Sequence, residues 1–585
     1  MAFLGKILQR IWGGLYRAKF RALSRRMGRP AGPPTLERGL VLIQIDGLSF
    51  PHLQRALREG RMPYLARQLR KGRFHLAPWF AGFPTTTPVV MAALLYGHRD
   101  GIPGFRWYEK AHGERIVMKR PDHVRRVAAR LQGNGNGGLL RGGACYASLF
   151  DGGAQRAVFT LSRMGLPSLL GGMRGLGLFL LILLSPGRIW RVLRTVIRDL
   201  VDELWYGARS WAAGWRFLRD PMGLFRTAFL SLGNALLHEL LTFSLSMDLH
   251  RGISPLFANY VLYDEAAHRY GPDHPVALRA LRRLDAYLRE IDRMARFAQR
   301  PYDLYVFSDH GMTPAEPFHR RFHQTLGAFV QACLQQEVVL DEIAEPDDRR
   351  WQSWRHLMAE LRGLERSLSP RGAQMVRAAR AYVQRQAPRM PAGAAGRPAD
   401  VLVRASGPLA HLYIATAPEP LPLSAIAARW PRLLEALITH PGIGLVIGRE
   451  GETVFLMGRR GTWVLRPEGQ PRLHGEDPLT DPERMAPEGR WLSPEQAREE
   501  LARLARMPEG GDLILLGAWD GQTVVTFEDQ WGTHGGLGGA QEMAFLLFPA
   551  RAPIVPRHWR DAHDFHAFLI HTYHREPLPE PTKAG

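Results

Sequence analysis

The stretch YDLYVFSDHGMTP, residues 302–314, constrains this chain most. Its first half alternates large apolar and β-branched residues, as a buried strand does. The run then stops at Asp309, His310 and Gly311. A strand of that kind belongs in a parallel sheet covered by helices. The carboxyl edge of such a sheet is where open α/β folds place their ligands. A carboxylate oxygen beside an imidazole nitrogen suits Zn²⁺ or Mn²⁺. An ordinary turn explains the same residues when they are taken alone, so the rest of the chain has to decide.

The pattern recurs. GLVLIQIDGLS (39–49) is a second apolar run, ending in Asp46-Gly47. AGFPTTTPVVMAALLYGHRDGIPGF (81–105) is a turn holding Thr85, Thr86 and Thr87, followed by an apolar helix. SPLFANYVLYDEAAHRYGPDHP (254–275) runs from a strand into Asp264 and His268, and a long helix follows it. Alternation of this kind predicts an α/β fold, an α/β/α sandwich with a mainly parallel central sheet. At 585 residues the chain exceeds one small core. We divide it into a basic N-terminal helix and linker (1–38), a first core part (39–160), a helical insert (161–250), a second core part (251–330), a helical insertion (331–399), and a final core part with a C-terminal tail (400–585).

The positive charge is unusual. Lys and Arg number 77 against 55 Asp and Glu, a formal net charge of +22. Such an excess favours polyanions: nucleic acid, anionic lipid or phosphorylated substrates. No groove-reading or base-stacking motif supports a specific nucleic-acid role. Residues 1–30 combine apolar positions at helical spacing with many basic ones, the pattern of a helix lying in a membrane interface. They lack the long apolar core and small-residue cleavage site of a secretory signal. Residues 175–185, GLGLFLLILLS, are wholly apolar but too short to span a bilayer by themselves. The helix after them shows Ile189, Leu193, Val196, Ile197, Leu200 and Leu204 on one face, with arginines opposite and tryptophans nearby. We therefore expect membrane association, on the cytoplasmic face by default. Two cysteines, Cys145 and Cys333, build no disulfide framework and no cysteine-rich metal site.

Six ligand-type residues stand out near strand-to-loop junctions: Asp46, Asp264, His268, Asp309, His310 and His534, the last in the glycine-rich loop WGTHGGLGG. Each alone has a bland reading. Together they suffice for two metal ions. Two adjacent ions suit displacement at phosphorus, and a threonine opening a helix meets free backbone N–H groups that favour a phosphate.

The ordered motifs IDG, FPTTTP…YGHRDGIPG, YDEAAHRYGPD, FSDHGM and THGG resemble those of the alkaline phosphatase superfamily, in particular its type I phosphodiesterase/nucleotide pyrophosphatase branch. The likeness spans about 39–110, 254–330 and 400–550. It implies that Asp46, Thr87, Asp309 and His310 hold one divalent ion, with Thr87 the nucleophile. Asp264, His268 and His534 would then hold the other. Zn²⁺ is the usual metal of that family, with Mn²⁺ or Mg²⁺ as alternatives. Thr87 is singled out from Thr85 and Thr86 because the family's nucleophile stands ten residues before a glycine, here Gly97. Two departures stand out. Val90 occupies the place of an asparagine that donates to a phosphate oxygen, and Tyr96 replaces a threonine before Gly97.

The implied activity is metal-dependent hydrolysis of phosphodiester or phosphoanhydride bonds through a phospho-threonine. The expected substrate is a phosphorylated small molecule or a lipid-linked one at an anionic membrane. A sulfatase would need a cysteine or serine in a modification motif, which TTTPVV does not offer. A phosphomonoesterase of the same superfamily and a non-catalytic membrane-surface protein remain the rival readings. The sequence leaves the oligomeric state open.

Overall fold

The computed structural model describes residues 37–133, 138–164, 186–209, 221–334, 338–343, 399–552 and 559–574, with a few isolated positions besides. The expected amphipathic helix at the N-terminus, the apolar run 175–185 and most of the 331–399 insertion lie outside the described residues.

Seven strands form the central sheet: β1 (Gly39–Ile45), β2 (Phe74–Trp79), β3 (Ala144–Tyr146), β4 (Arg156–Val158), β5 (Leu256–Tyr260), β6 (Tyr302–Phe307) and β7 (Ala544–Pro549). Their order is β2-β7-β6-β1-β5-β3-β4. β6, β1, β5, β3 and β4 run parallel, and β7 lies antiparallel between β6 and β2. The mainly parallel α/β sheet read from the apolar runs is thus present. β1 shows why its sequence is apolar throughout: Leu40 and Leu42 enter the core on one face, while Val41, Ile43 and Ile45 enter the core on the other. Both faces are covered by helices, which makes the molecule a three-layer sandwich.

One covering helix is α1 (Thr87–Tyr96), buried at every position. It ends at Gly97, whose φ of +77° is the left-handed conformation that closes a helix cheaply only as glycine. The ten-residue spacing from Thr87 to Gly97 is therefore the length of this helix. On the other face an antiparallel pair, α2 (Pro186–Arg209) and α3 (Pro221–His250), packs beside α4 (Leu262–Tyr270) and α5 (Pro275–Phe297). Arg188 bridges Glu239 of α3 and Glu290 of α5. Asp199 takes Arg283 of α5 at 2.6 Å and Ser231 of α3 at 2.5 Å. No helix among the described residues is long and apolar enough to cross a membrane.

The strands after residue 400 do not extend the central sheet. Val401–Ser406, Leu409–Ile414, Leu513–Gly517, Ile443–Glu450, Thr453–Met457, Gly461–Leu465 and Arg472–Gly475 build a second, antiparallel sheet, which Leu340–Ile343 joins in parallel. Several are joined by hairpin turns, the first through Gly407-Pro408, and hairpin neighbours pair with each other rather than enter a parallel sheet. Only β7 returns to the central sheet. The turn of that first hairpin serves the loop carrying His534. Glu528 accepts the Gly407 N–H at 3.0 Å and pairs with the buried Arg106.

Candidate active site

Three neighbouring parallel strands, β6, β1 and β5, deliver carboxylates and imidazoles to one edge. Asp46 follows β1 and stays in register, its N–H donating to the Tyr260 carbonyl of β5 at 3.1 Å. Asp309 and His310 follow β6 after a single residue, Ser308. Asp264 and His268 lie one turn apart on α4, so both side chains leave the same side of the helix. Their Oδ2 and Nε2 atoms are 3.3 Å apart. Gly47 sits between these groups with φ +70°, and a Cβ there would lie 2.6 Å from Asp264 Oδ1. The Asp-Gly step after β1 is a close approach as well as a turn.

Thr87 is the first residue of α1, with Thr86 as the extended residue before it. Its Oγ1 lies 3.2 Å from His310 Nε2 and 3.5 Å from Asp46 Oδ1. His310 Nε2 is 3.5 Å from Asp46 Oδ1 and 3.3 Å from Asp309 Oδ2. His534 stacks on His310 at 3.6 Å between ring centroids, and its Nε2 lies 3.2 Å from His268 Nε2 and 3.8 Å from Asp264 Oδ1. All seven residues singled out in the sequence thus meet in one place. Of the three threonine hydroxyls only that of Thr87 reaches the ligand atoms of this cluster. Thr85 braces the His534 loop, accepting the Gly535 N–H at 2.8 Å and donating to the Gly536 carbonyl at 3.2 Å.

The donor set fits divalent cations on three observations. First, each imidazole has its Nδ1 against a backbone carbonyl: His268 with Gly532 at 2.8 Å, His310 with Gly311 at 2.9 Å, His534 with Thr85 at 2.7 Å. Donation from Nδ1–H in each case leaves Nε2 as the lone pair, and all three Nε2 atoms converge. Second, Asp264 Oδ1 and Asp309 Oδ2 are buried with no hydrogen-bond donor among the described residues, a costly state for a carboxylate unless a cation meets it. Third, the ligand atoms form two groups, each within 4.8 Å: Asp264, His268 and His534, and Asp46, Asp264 and His310. Asp264 belongs to both groups, whereas the sequence assigned it to one.

The electrostatics agree. Burial raises the Asp46 carboxyl well above its ordinary range, and the neighbouring Asp309 and Asp264 raise it further. Burial likewise raises Asp309, with Asp264 adding to it and His310 opposing. Burial also pushes Asp264 up, but its three imidazole neighbours outweigh that and hold it below the usual carboxylate range. Burial and the nearby His310 push His534 well below the usual imidazole value, which keeps it neutral and able to ligate. Three acids in one buried space raise one another's cost of ionisation, and a cation relieves it.

The sequence reading missed Asn259. It stands opposite Gln44 in the β1–β5 register, and its Nδ2 donates to Asp46 Oδ2 at 2.8 Å. A polar residue inside the apolar run FANYV was the available signal. Val90 is fully buried one turn into α1 and offers no donor of its own.

A family model described as type I phosphodiesterase / nucleotide pyrophosphatase matches residues 242–395, which include Asp264, His268, Asp309 and His310. Over those residues the match agrees with the resemblance carried by the motifs to the type I phosphodiesterase/nucleotide pyrophosphatase branch. At the level this supports, the chain resembles a phosphoester hydrolase. No curated protein matches it. Among solved structures, phosphonoacetate hydrolase from Sinorhizobium meliloti 1021, in complex with phosphonoacetate, is similar at 16% identity and a TM-score of 0.38, covering 93% of this chain and 98% of that one. Murine and human ectonucleotide pyrophosphatase / phosphodiesterase 5 are similar at 13% and 12% identity, with TM-scores of 0.41 and 0.43; each alignment covers 93% of this chain and 97% of theirs.

Proposed function

We propose that this chain hydrolyses phosphodiester or phosphoanhydride bonds, with Thr87 as the nucleophile. The observation that carries this is the placement of Thr87 Oγ1 at the first turn of α1, within 3.5 Å of both Asp46 and His310. Asp46, Thr87, Asp309 and His310 would hold one divalent ion and Asp264, His268 and His534 the other, with Zn²⁺ the first candidate and Mn²⁺ or Mg²⁺ the alternatives. Bound there, the two ions would lower the pKa of the attacking hydroxyl and neutralise charge on the phosphoryl group.

Thr87 Oγ1 attacks phosphorus, and the bond to the leaving alcohol or phosphate breaks, which leaves a phospho-threonine. Water then attacks the same phosphorus and the Thr87 oxygen leaves, which restores the side chain. The N-terminus of α1 supports the anion through the helix dipole; the Val89 and Val90 N–H groups donate to the Thr86 carbonyl and Pro88 offers none. Asn259 fixes the Asp46 carboxylate, and the three backbone carbonyls fix the imidazole tautomers.

Val90 favours a second reading, a phosphomonoesterase. Without a side-chain amide at that position, a phosphoryl oxygen loses one donor that diester hydrolysis would use. Hydrolysis of bis(p-nitrophenyl) phosphate against p-nitrophenyl phosphate, with Zn²⁺-loaded and EDTA-stripped protein, separates the two. Metal-dependent turnover with a preference for the diester supports the first reading. Preference for the monoester overturns it in favour of the second, and metal-independent turnover overturns both.

A further inference from the structure

Helix α2 carries more apolar surface than its packing uses. Val192 faces the protein and is buried, and Arg188, Asp199 and Asp202 on that side are paired with α3 and α5. On the outward side Trp190, Leu193, Ile197 and Val201 are 64%, 48%, 57% and 55% exposed. Their spacing of three, four and four residues sets them in one stripe roughly 16 Å long. The single apolar face expected from the sequence is thus split, with Leu193 and Ile197 turned outward. Five of the eight strongly exposed large apolar side chains among the described residues lie on α2 and α3, so the patch is concentrated rather than scattered.

The charges divide in the same way. Arg188 and Arg191 pair with Glu239 and Glu290. Arg194 and Arg198 are exposed along one border of the stripe, and neither pairs with a carboxylate among the described residues. Asp199 and Asp202, the described acids of this helix, are engaged by Arg283 and Arg279.

We propose that this face of α2 docks on an anionic lipid surface, with Trp190, Leu193, Ile197 and Val201 entering the headgroup boundary and Arg194 and Arg198 meeting lipid phosphates. The charge selects the occupant. A second copy placed on the stripe by a twofold axis would bring the same two arginines into the same seam with no free acid described there. An anionic bilayer takes up both. Each such arginine strengthens partition roughly fivefold. The position also suits the site. Asn234 of α3 donates to Glu265 of α4 at 2.8 Å, and α4 carries Asp264 and His268. The helix on which α2 packs is thus connected to the helix that carries two of the candidate ligands. The docking claim itself does not depend on the chemistry at Thr87.

The test is co-sedimentation of the full chain with phosphatidylcholine vesicles, with and without phosphatidylglycerol. The wild type should pellet with the anionic vesicles only. Arg194→Ala/Arg198→Ala should bind roughly 25-fold more weakly, and Trp190→Ser/Ile197→Ser should lose most of the binding. Both variants should keep the wild-type thermal unfolding curve, because the altered side chains are exposed. The proposal is overturned if the wild type ignores anionic vesicles. Equal pelleting of the variants overturns it too, since the contact then lies elsewhere, for instance in the basic residues 1–30. A concentration-dependent dimer that the variants dissolve, without vesicle binding, would assign the face to self-association and also overturn it.

Discussion

Replacing Thr87 by alanine separates catalysis from folding. Thr87 opens α1 but does not cap it, because Thr86 occupies the position before the first turn. The change deletes one hydroxyl and one methyl from a buried site, while Pro88 still sets the second helical position. The lost contacts are Oγ1 to His310 Nε2 at 3.2 Å and to Asp46 Oδ1 at 3.5 Å, neither of them short. Removal of one weak hydrogen bond and one methyl costs about 1–2 kcal/mol of stability. Loss of the nucleophile should cost about ten-thousand-fold in kcat, or roughly 5.4 kcal/mol of transition-state stabilisation. The two effects differ enough to be read apart. Steady-state hydrolysis of the preferred aryl phosphate, thermal unfolding and bound-metal content would be measured on the same preparation. Near-complete loss of turnover with metal retained is the expected result. A variant that keeps a tenth or more of wild-type turnover would refute the assignment of Thr87.

Other consequences follow from the same geometry. Asp264→Asn should weaken both ions at once, by about a hundredfold or more, because its carboxylate belongs to both ligand groups; metal titration would show whether one site survives intact. Asn259→Leu removes the donor to Asp46 Oδ2 and should weaken metal binding about 10–100-fold, measured by competition with a chelating dye. Zn²⁺ at a hundredfold excess over its Kd should stabilise the fold by about 2.7 kcal/mol, and EDTA should reverse the gain in Tm. Away from the site, burial pushes His411 down to about 4 from an ordinary 6.5, where its Nδ1 accepts the Gly511 N–H and its Nε2 faces the Pro103 carbonyl. The unfolded chain therefore binds the extra proton first. The stability contributed by neutral His411 is full above pH 6.5 and is lost as pH falls through about 4, by about 3 kcal/mol. His411→Gln should flatten that acid limb in unfolding experiments between those pH values, and an unchanged limb would refute the cause.

The legible parts of this molecule are those whose signal is local. Apolar runs ending in Asp46 and in Asp309-His310 announced parallel strands and their ligand edge, because a doubly covered strand has no polar face to offer. The spacing from Thr87 to Gly97 proved to be a helix length closed by a left-handed glycine. What stayed hidden depends on pairing between distant segments. Asn259 gains its role only through the register that sets it beside Gln44. The second sheet could not be told from a continuation of the first, since Val401–Ser406 and Leu513–Gly517 are as apolar as the central strands. Asp264 reads as a member of one ligand pair by its i, i+4 partner His268, yet the fold also brings it to Asp46 and His310. On α2 the helical period was visible, but which apolar residues face the core depends on where Glu239 and Glu290 anchor its arginines.

The stereochemical course at phosphorus tests the covalent role of Thr87 most directly. The substrate is a chiral phosphorothioate diester, hydrolysed in isotopically labelled water by the metal-loaded protein. Two successive in-line displacements, first by Thr87 and then by water, each invert the centre, so the account predicts net retention. Net inversion would mean that water attacks the substrate directly, and Thr87 would not be the nucleophile.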